Sequence, residues 1–161
     1  MKKINFLNEN DVYDELMEKF PAQPSLFLPT DIRGLDDPEC VYVFFQNKQW
    51  IEIANNLELK NDSYALELGV LFLPEEVFRY YTPLYIYASL FNKSDFWVFE
   101  SDFIQQYLCP EYRDHDDFLN FILNFSDAQL SIIAQFMSYE SEIIGFSYAS
   151  KACIDFWNDF L

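Results

Sequence analysis

The stretch FLPEEVFRYYTPLYIYASLF, residues Phe72 to Phe91, decides the fold. It is the most apolar and aromatic segment of the chain, yet Glu75, Glu76 and Arg79 stand inside it. Pro74 suits the first turn of a helix, where its missing N–H is not needed and its φ is already helical. Glu75 and Glu76 then lie where the positive end of the helix dipole favours negative charge. Val77, Tyr81, Leu84, Ala88 and Phe91 recur at steps of four and three, the spacing of one helical face. Glu75 precedes Arg79 by four, the favourable order for a helical ion pair. Pro83 removes a hydrogen bond and crowds the preceding turn, so Thr82-Pro83 predicts a kink or short break, with a second helical piece from Leu84 to Phe91. A membrane span needs about 20 mainly apolar residues, and the uninterrupted apolar part, Leu84 to Leu90, is too short. The stretch reads as a core helix, buried on most of its circumference.

The composition around it agrees with a helical core. A chain of 161 residues is most simply one domain, 1–161, of a size that buries about 70% of its unfolded surface. The hydrophobic share is 51% and the aromatic share 20%, ample apolar surface to offset chain entropy, which excludes a disordered chain. Only three glycines are present, too few for the tight turns of a many-stranded β fold or for a phosphate-cradling loop. The expectation is an all-α fold: a single compact multi-helix domain around a central proline-kinked helix.

Ten basic against 27 acidic residues give a formal net charge of −17. Such a surface repels nucleic-acid phosphates and anionic membranes, so neither is an expected partner. The same charge speeds encounter with a basic protein, or serves solubility alone. Cys40, Cys109 and Cys153 are odd in number and show no CxxC spacing, which argues against a disulfide framework or zinc site and fits a reducing cytosol. The opening MKKINFLNENDVYDEL has no apolar run of signal-peptide length, and the expected location is cytoplasmic.

In chain order, Asn8 or Asn10 caps a first helix, with Tyr13, Leu16, Met17 and Phe20 on its apolar side and Glu15 among the wet residues. Pro21, Pro24, Pro29, Gly34 and Pro38 punctuate an irregular connection that Leu26, Phe27 and Leu28 pin to the core. Asp37-Pro38-Glu39 opens a second helix through CVYVFF. Trp50, Ile51 and Ile53 anchor a loop or turn. Asn61-Asp62-Ser63 reads as a turn and cap before a short helix from Tyr64. Asn92 to Asp95 form a loop, after which Phe96 to Phe99 return to the core. Ser101 or Asp102 starts a short helix ending at Cys109-Pro110. Asp114 to Asp117 open another, with Phe118, Phe121, Ile122 and Phe125 on its buried face. Ser126 and Gln129 form a capping box ahead of Leu130, Ile133 and Met137. Ser147 caps the last helix, where Cys153, Phe156, Trp157 and Phe160 repeat the spacing.

Catalytic equipment is missing. His115 is the only histidine, which excludes HExxH-type zinc motifs. Its neighbours Asp114, Asp116 and Asp117 are better explained as helix N-terminal carboxylates than as metal ligands or acid/base partners. No GxSxG, GxGxxG or Walker loop is present. The expectation is therefore no enzyme, no cofactor and no metal. Tyrosines are the binding candidates, since Tyr80, Tyr81, Tyr85 and Tyr87 cannot all be buried without partners for their hydroxyls. Tyr80 and Tyr87 as anchors, with Asp95, Glu100, Asp102, Asp114, Asp116 and Asp117 as a carboxylate rim, are the expected partner-binding residues.

The run Phe72-Leu73-Pro74-Glu75-Glu76-Val77-Phe78-Arg79-Tyr80-Tyr81-Thr82-Pro83 resembles the central segment, FLxPEAFRYYLPA, of a bacterial family of small acidic proteins of unknown function. Phe45 to Trp50 resembles the same family's F-x-G-K-x-W segment, with Asn47 where glycine is usual; Thr82 stands where leucine is usual. Leu130 to Tyr139 and Cys153 to Trp157 resemble its later helices. The resemblance implies a helical fold in which Phe72, Pro74, Phe78, Arg79, Tyr81, Pro83 and Trp50 are structural. The functional expectation is a cytosolic immunity or inhibitor protein that occludes a basic partner, a nuclease-like toxin or another nucleic-acid-binding enzyme. The alternative is a housekeeping interaction domain whose acidity is only solubilising.

Overall fold

The computed structural model describes residues 3–22, 36–91 and 98–161. Leu26 to Leu28, the loop Asn92 to Asp95, Phe96 and Trp97 lie outside the described residues. Among those described there are nine α-helices and no strand. They are α1 (Glu9–Lys19), α2 (Asp36–Phe45), α3 (Trp50–Asn55), α4 (Leu59–Phe72), α5 (Glu75–Leu90), α6 (Val98–Phe103), α7 (His115–Ile122), α8 (Asp127–Tyr139) and α9 (Ser147–Asp155). The all-α expectation is met. The contacts group the chain into two compact units, one of Met1–Lys19 with Phe103–Leu161 and one of Phe20–Asp102.

In the second unit α5 is one continuous helix with Pro83 inside it; of the kink or short break expected at Thr82-Pro83, the break does not occur. Proline in a helix interior costs about 3 kcal/mol in isolation. Here every residue from Tyr81 to Ile86 is buried, and burying each large apolar side chain contributes about 1.5–3 kcal/mol, so packing holds the helix together across the proline. Thr82 Oγ1 donates to the Phe78 carbonyl at 3.3 Å. Pro74 is the N-terminal capping residue, just ahead of the first turn. Arg79 pairs with Glu75 at 3.1 Å, the expected i, i+4 ion pair.

The tyrosines of α5 turn inward to clamp backbone. Tyr81 Oη lies 2.9 Å from the Phe45 carbonyl and 2.6 Å from that of Lys48. Tyr80 Oη donates to the Ala22 carbonyl at 2.8 Å and accepts from the Trp50 N–H at 3.3 Å. Trp50 is fully buried and its Nε1 donates to the Pro21 carbonyl at 3.1 Å. Between α2 and α3, Asn47 adopts the left-handed conformation with φ +54°, a geometry that asparagine tolerates and glycine adopts freely.

Several local expectations in this unit need correction. Trp50, Ile51 and Ile53 belong to helix α3, which Gln49 and Glu52 start through a reciprocal capping box. Asn61-Asp62-Ser63 lie inside the first turns of α4, where Asp62 Oδ2 accepts from the Glu58 N–H at 2.8 Å. Helix α6 begins at Val98, ahead of Ser101, and Val98 itself is exposed while Phe99 is buried.

In the first unit Asn8 caps α1, its Oδ1 accepting from the N–H of Asn10 (3.1 Å) and Asp11 (3.4 Å). The buried face of α1 is Val12, Glu15 and Leu16, whereas Met17 is exposed and Tyr13 half-buried. The face is thus rotated from the expected one, because Val12 takes the inner position that periodicity alone gave to Tyr13. Helix α7 buries Phe118, Phe121 and Ile122, and Phe125 follows them into the core. Ser126 and Gln129 make the expected capping box of α8, and Gln129 Nε2 reaches on to the Lys19 carbonyl at 3.0 Å. Ser147 is the first residue of α9, with Phe146 as its uncapped predecessor. Phe156 ends α9, so Trp157 and Phe160 lie on a 3-10 turn; fully buried Trp157 donates to the Leu108 carbonyl at 2.6 Å.

Candidate functional site

The acidic rim expected from sequence is not one site. Asp95 lies outside the described residues. Glu100 is 2% exposed, a correction to its role as a rim carboxylate: on α6 it sits beside buried Phe99. Asp102 is half-buried, and burial raises its carboxyl above the usual range. Tyr80 is half-buried and its hydroxyl is committed to Ala22 and Trp50. Burial also raises the Tyr80 hydroxyl. Tyr87 is half-buried against Phe91, ring centroids 5.1 Å apart. Tyr80, Tyr87, Glu100 and Asp102 belong to the second unit, and Asp114, Asp116 and Asp117 to the first.

The acidity is also shared between the units. The first carries 14 of the 27 acidic and 5 of the 10 basic residues, so neither is the acidic half. Glu15, Glu100 and Glu140 are buried and add nothing to an outer face. Many of the other carboxylates stand in the first turns of helices, at Glu9 and Asp11, Glu52, Asp62, Glu75 and Glu76, and Asp127. There they oppose the positive end of the dipole.

One stretch of the first unit does combine an outward tyrosine with carboxylates. A 3-10 turn, Pro110–Tyr112, leads to the start of α7, and along it Glu111, Tyr112, Asp114, His115, Asp116 and Asp117 are all exposed. Tyr112 is 53% exposed. Asp114 Oδ1 accepts from the N–H of Asp116 (2.9 Å) and Asp117 (3.4 Å), which fixes the turn and aims the next two carboxylates outward. Arg113 points the other way, its guanidinium 5.3 Å from the Tyr107 ring and 5.5 Å from that of Phe121. Lys151 of α9 bonds Glu111 at 2.5 Å and Asp155 at 3.0 Å, which raises its ammonium above the ordinary range. Tyr112 was absent from the tyrosines singled out by sequence. Its neighbour Pro110 and the acidic run after it were the available signals.

Among the described residues no three His, Cys, Asp or Glu side chains converge as a metal site. Cys109 and Cys153 are buried thiols, pushed up to about 12 and about 11, chiefly by burial; such thiols are poor nucleophiles at neutral pH. A cleft of about 480 Å³ in the first unit is lined by Phe6, Leu7, Tyr139, Ile143 and Leu161, with Gln135 and Glu142 at its polar side. Gln135 Oε1 accepts from Ile4 N (2.9 Å) and Glu142 Oε1 from Ser138 Oγ (3.0 Å), and Lys3 and Asn5 also line the cleft. No helix among the described residues is long and apolar enough to cross a membrane.

Compared with known proteins, the chain matches no family model, no curated protein and no solved structure. The local resemblance carried by Phe72 to Pro83 gains no support from those comparisons.

Proposed function

We propose that this chain is an acidic binding protein that covers a cationic surface of another protein, with Glu111 to Asp117 as its contact edge. The observation that carries the reading is Tyr112, exposed among exposed Glu111, Asp114, Asp116 and Asp117. A tyrosine supplies contact area at low entropic cost, and carboxylates around it steer and orient a basic partner. The net charge of −17 lengthens the reach of that steering at low salt. Within this reading the chain is a cytoplasmic immunity or inhibitor protein, and its target a nuclease-like toxin or another enzyme with a positive nucleic-acid cleft.

The even division of acidic residues between the units favours a second reading, an interaction domain whose charge serves solubility and helix N-termini. One experiment separates them. The immobilised chain is challenged with host extract and with the products of neighbouring reading frames, beside a variant carrying Tyr112→Ala, Asp116→Asn and Asp117→Asn. Capture of a basic protein that the variant loses, and whose nuclease or nucleic-acid-binding activity the chain suppresses, supports the inhibitor reading. Equal capture by both forms, or no basic protein captured, overturns it.

A further inference from the structure

In the second unit, the outward faces of α2 and α4 lie side by side and carry large apolar side chains among charged ones. On α2 the residues Pro38, Val41 and Phe45 are buried, which turns Cys40 and Val43 to the opposite side. On α4 the buried set Ala65, Leu66, Leu68, Gly69 and Val70 leaves Lys60, Tyr64, Glu67 and Leu71 on one outer stripe at helical spacing. Tyr64 Oη donates to Asp37 Oδ1 at 3.0 Å, so the two stripes adjoin. Val43, Tyr64 and Leu71 are 54%, 54% and 55% exposed. Three large apolar side chains held in solvent on one helix pair are the pattern of a docking surface.

From this we infer that the α2–α4 face receives a basic amphipathic helix of a partner protein. The occupant is chosen by charge. Asp37, Glu39 and Glu67 lie along the two helices, against Lys60 and Lys48, whose Nζ folds back onto the Phe44 carbonyl at 2.8 Å, so the face keeps a net negative charge that an apolar helix flanked by lysine or arginine complements. A second copy of this chain brings another charge of −17 to the contact, which opposes self-association. The inference shares with the proposed function the premise of a cationic partner, but it concerns a different surface and an apolar attachment that salt does not screen.

The test uses the full chain and a labelled leucine–lysine peptide of about four helical turns, followed by fluorescence anisotropy at about 0.15 M salt. The expected result is saturable binding, weakened about tenfold or more by V43S with L71S, and unchanged by Leu123→Ser, an exposed position in the first unit. A matched leucine–glutamate peptide should not bind. Wild-type affinity in the V43S/L71S variant overturns the assignment of the face while leaving the acidic-binder reading intact. No binding by the parent chain overturns the docking face too, and the reading at Tyr112 then stands or falls on its own capture experiment. Concentration-dependent self-association that V43S/L71S abolishes overturns the choice of occupant.

Discussion

Tyr85 and Gly69 meet where α5 crosses α4: a Cβ added to Gly69 would run into the Tyr85 hydroxyl and lie 2.9 Å from Cε2 of Phe45. That hydroxyl cannot swing away, because Tyr85 is fully buried and donates to the Leu66 carbonyl at 2.7 Å. The glycine is therefore a close-approach residue, and its weak helix propensity is accepted for the sake of the contact.

Gly69→Ala should destabilise the fold by about 1–3 kcal/mol, overpacking outweighing the roughly 1 kcal/mol of helix propensity that alanine gains. In a Tyr85→Phe background the hydroxyl is gone, so the same substitution should cost measurably less. Urea denaturation of the four proteins in that double-mutant cycle measures the coupling. Additive effects would show that Tyr85 is not the obstacle.

Asn47 holds φ +54° at the turn between α2 and α3. Asn47→Gly should be neutral or slightly stabilising. Asn47→Ala should cost about 1–2 kcal/mol, since a Cβ without a helpful polar group is penalised there. Thermal unfolding of the two variants ranks them; an alanine variant as stable as the parent would refute the strained-turn account.

The capping box of α8 makes Ser126→Ala a loss of about 1 kcal/mol. Gln129→Ala should cost at least as much, because Gln129 returns a bond to the Ser126 N–H (2.9 Å) and also bonds the Lys19 carbonyl. Amide exchange should speed up in the first turn of α8 for Ser126→Ala, and for Gln129→Ala additionally at the end of α1.

Buried thiols give the stability a sign in alkali. Cys109 is raised from 9.0 to about 12 and Cys153 to about 11, so the folded state keeps protons that the unfolded chain gives up. Their contribution is fully present below about pH 9 and is lost as pH rises through 11 to 12. Buried Tyr81 is raised as well, chiefly by burial, and adds to the same trend. Denaturation midpoints should fall between pH 9 and 11. Below pH 9 a thiol reagent should label half-buried Cys40 before the other two; labelling of Cys109 at the same rate would contradict its burial.

The helices legible in the sequence are those with strong start signals and wide apolar faces. Asp114 and Ser126 announced α7 and α8, and both cap as expected. Helix α3 was missed because its capping pair is Gln49 with Glu52, outside the usual Ser or Thr pattern. The start of α4 was missed because Asn61-Asp62-Ser63 resembles a turn, yet polar residues are tolerated in a first turn when one of them takes up a free N–H. The break offered at Pro83 as the alternative to a kink fails for a similar reason: local chemistry favours it, and burial on all sides overrides it. At the candidate site the carboxylates Asp114, Asp116 and Asp117 could be read directly from their run. Glu100 could not, since only tertiary contacts decide that a charged residue beside Phe99 is buried, and the same limit hid the exposure of Tyr112.

The first unit is discontinuous: α1 belongs with residues 103–161, while 20–102 form the other unit without interruption. On the ribosome, at about 5–20 residues per second, α1 emerges early and waits several seconds for the helices that cover Val12 and Leu16. The contiguous unit has no such delay, so it should collapse first in the nascent chain, with α1 left as an uncovered amphipathic helix that chaperones can hold until residues 103–161 have emerged.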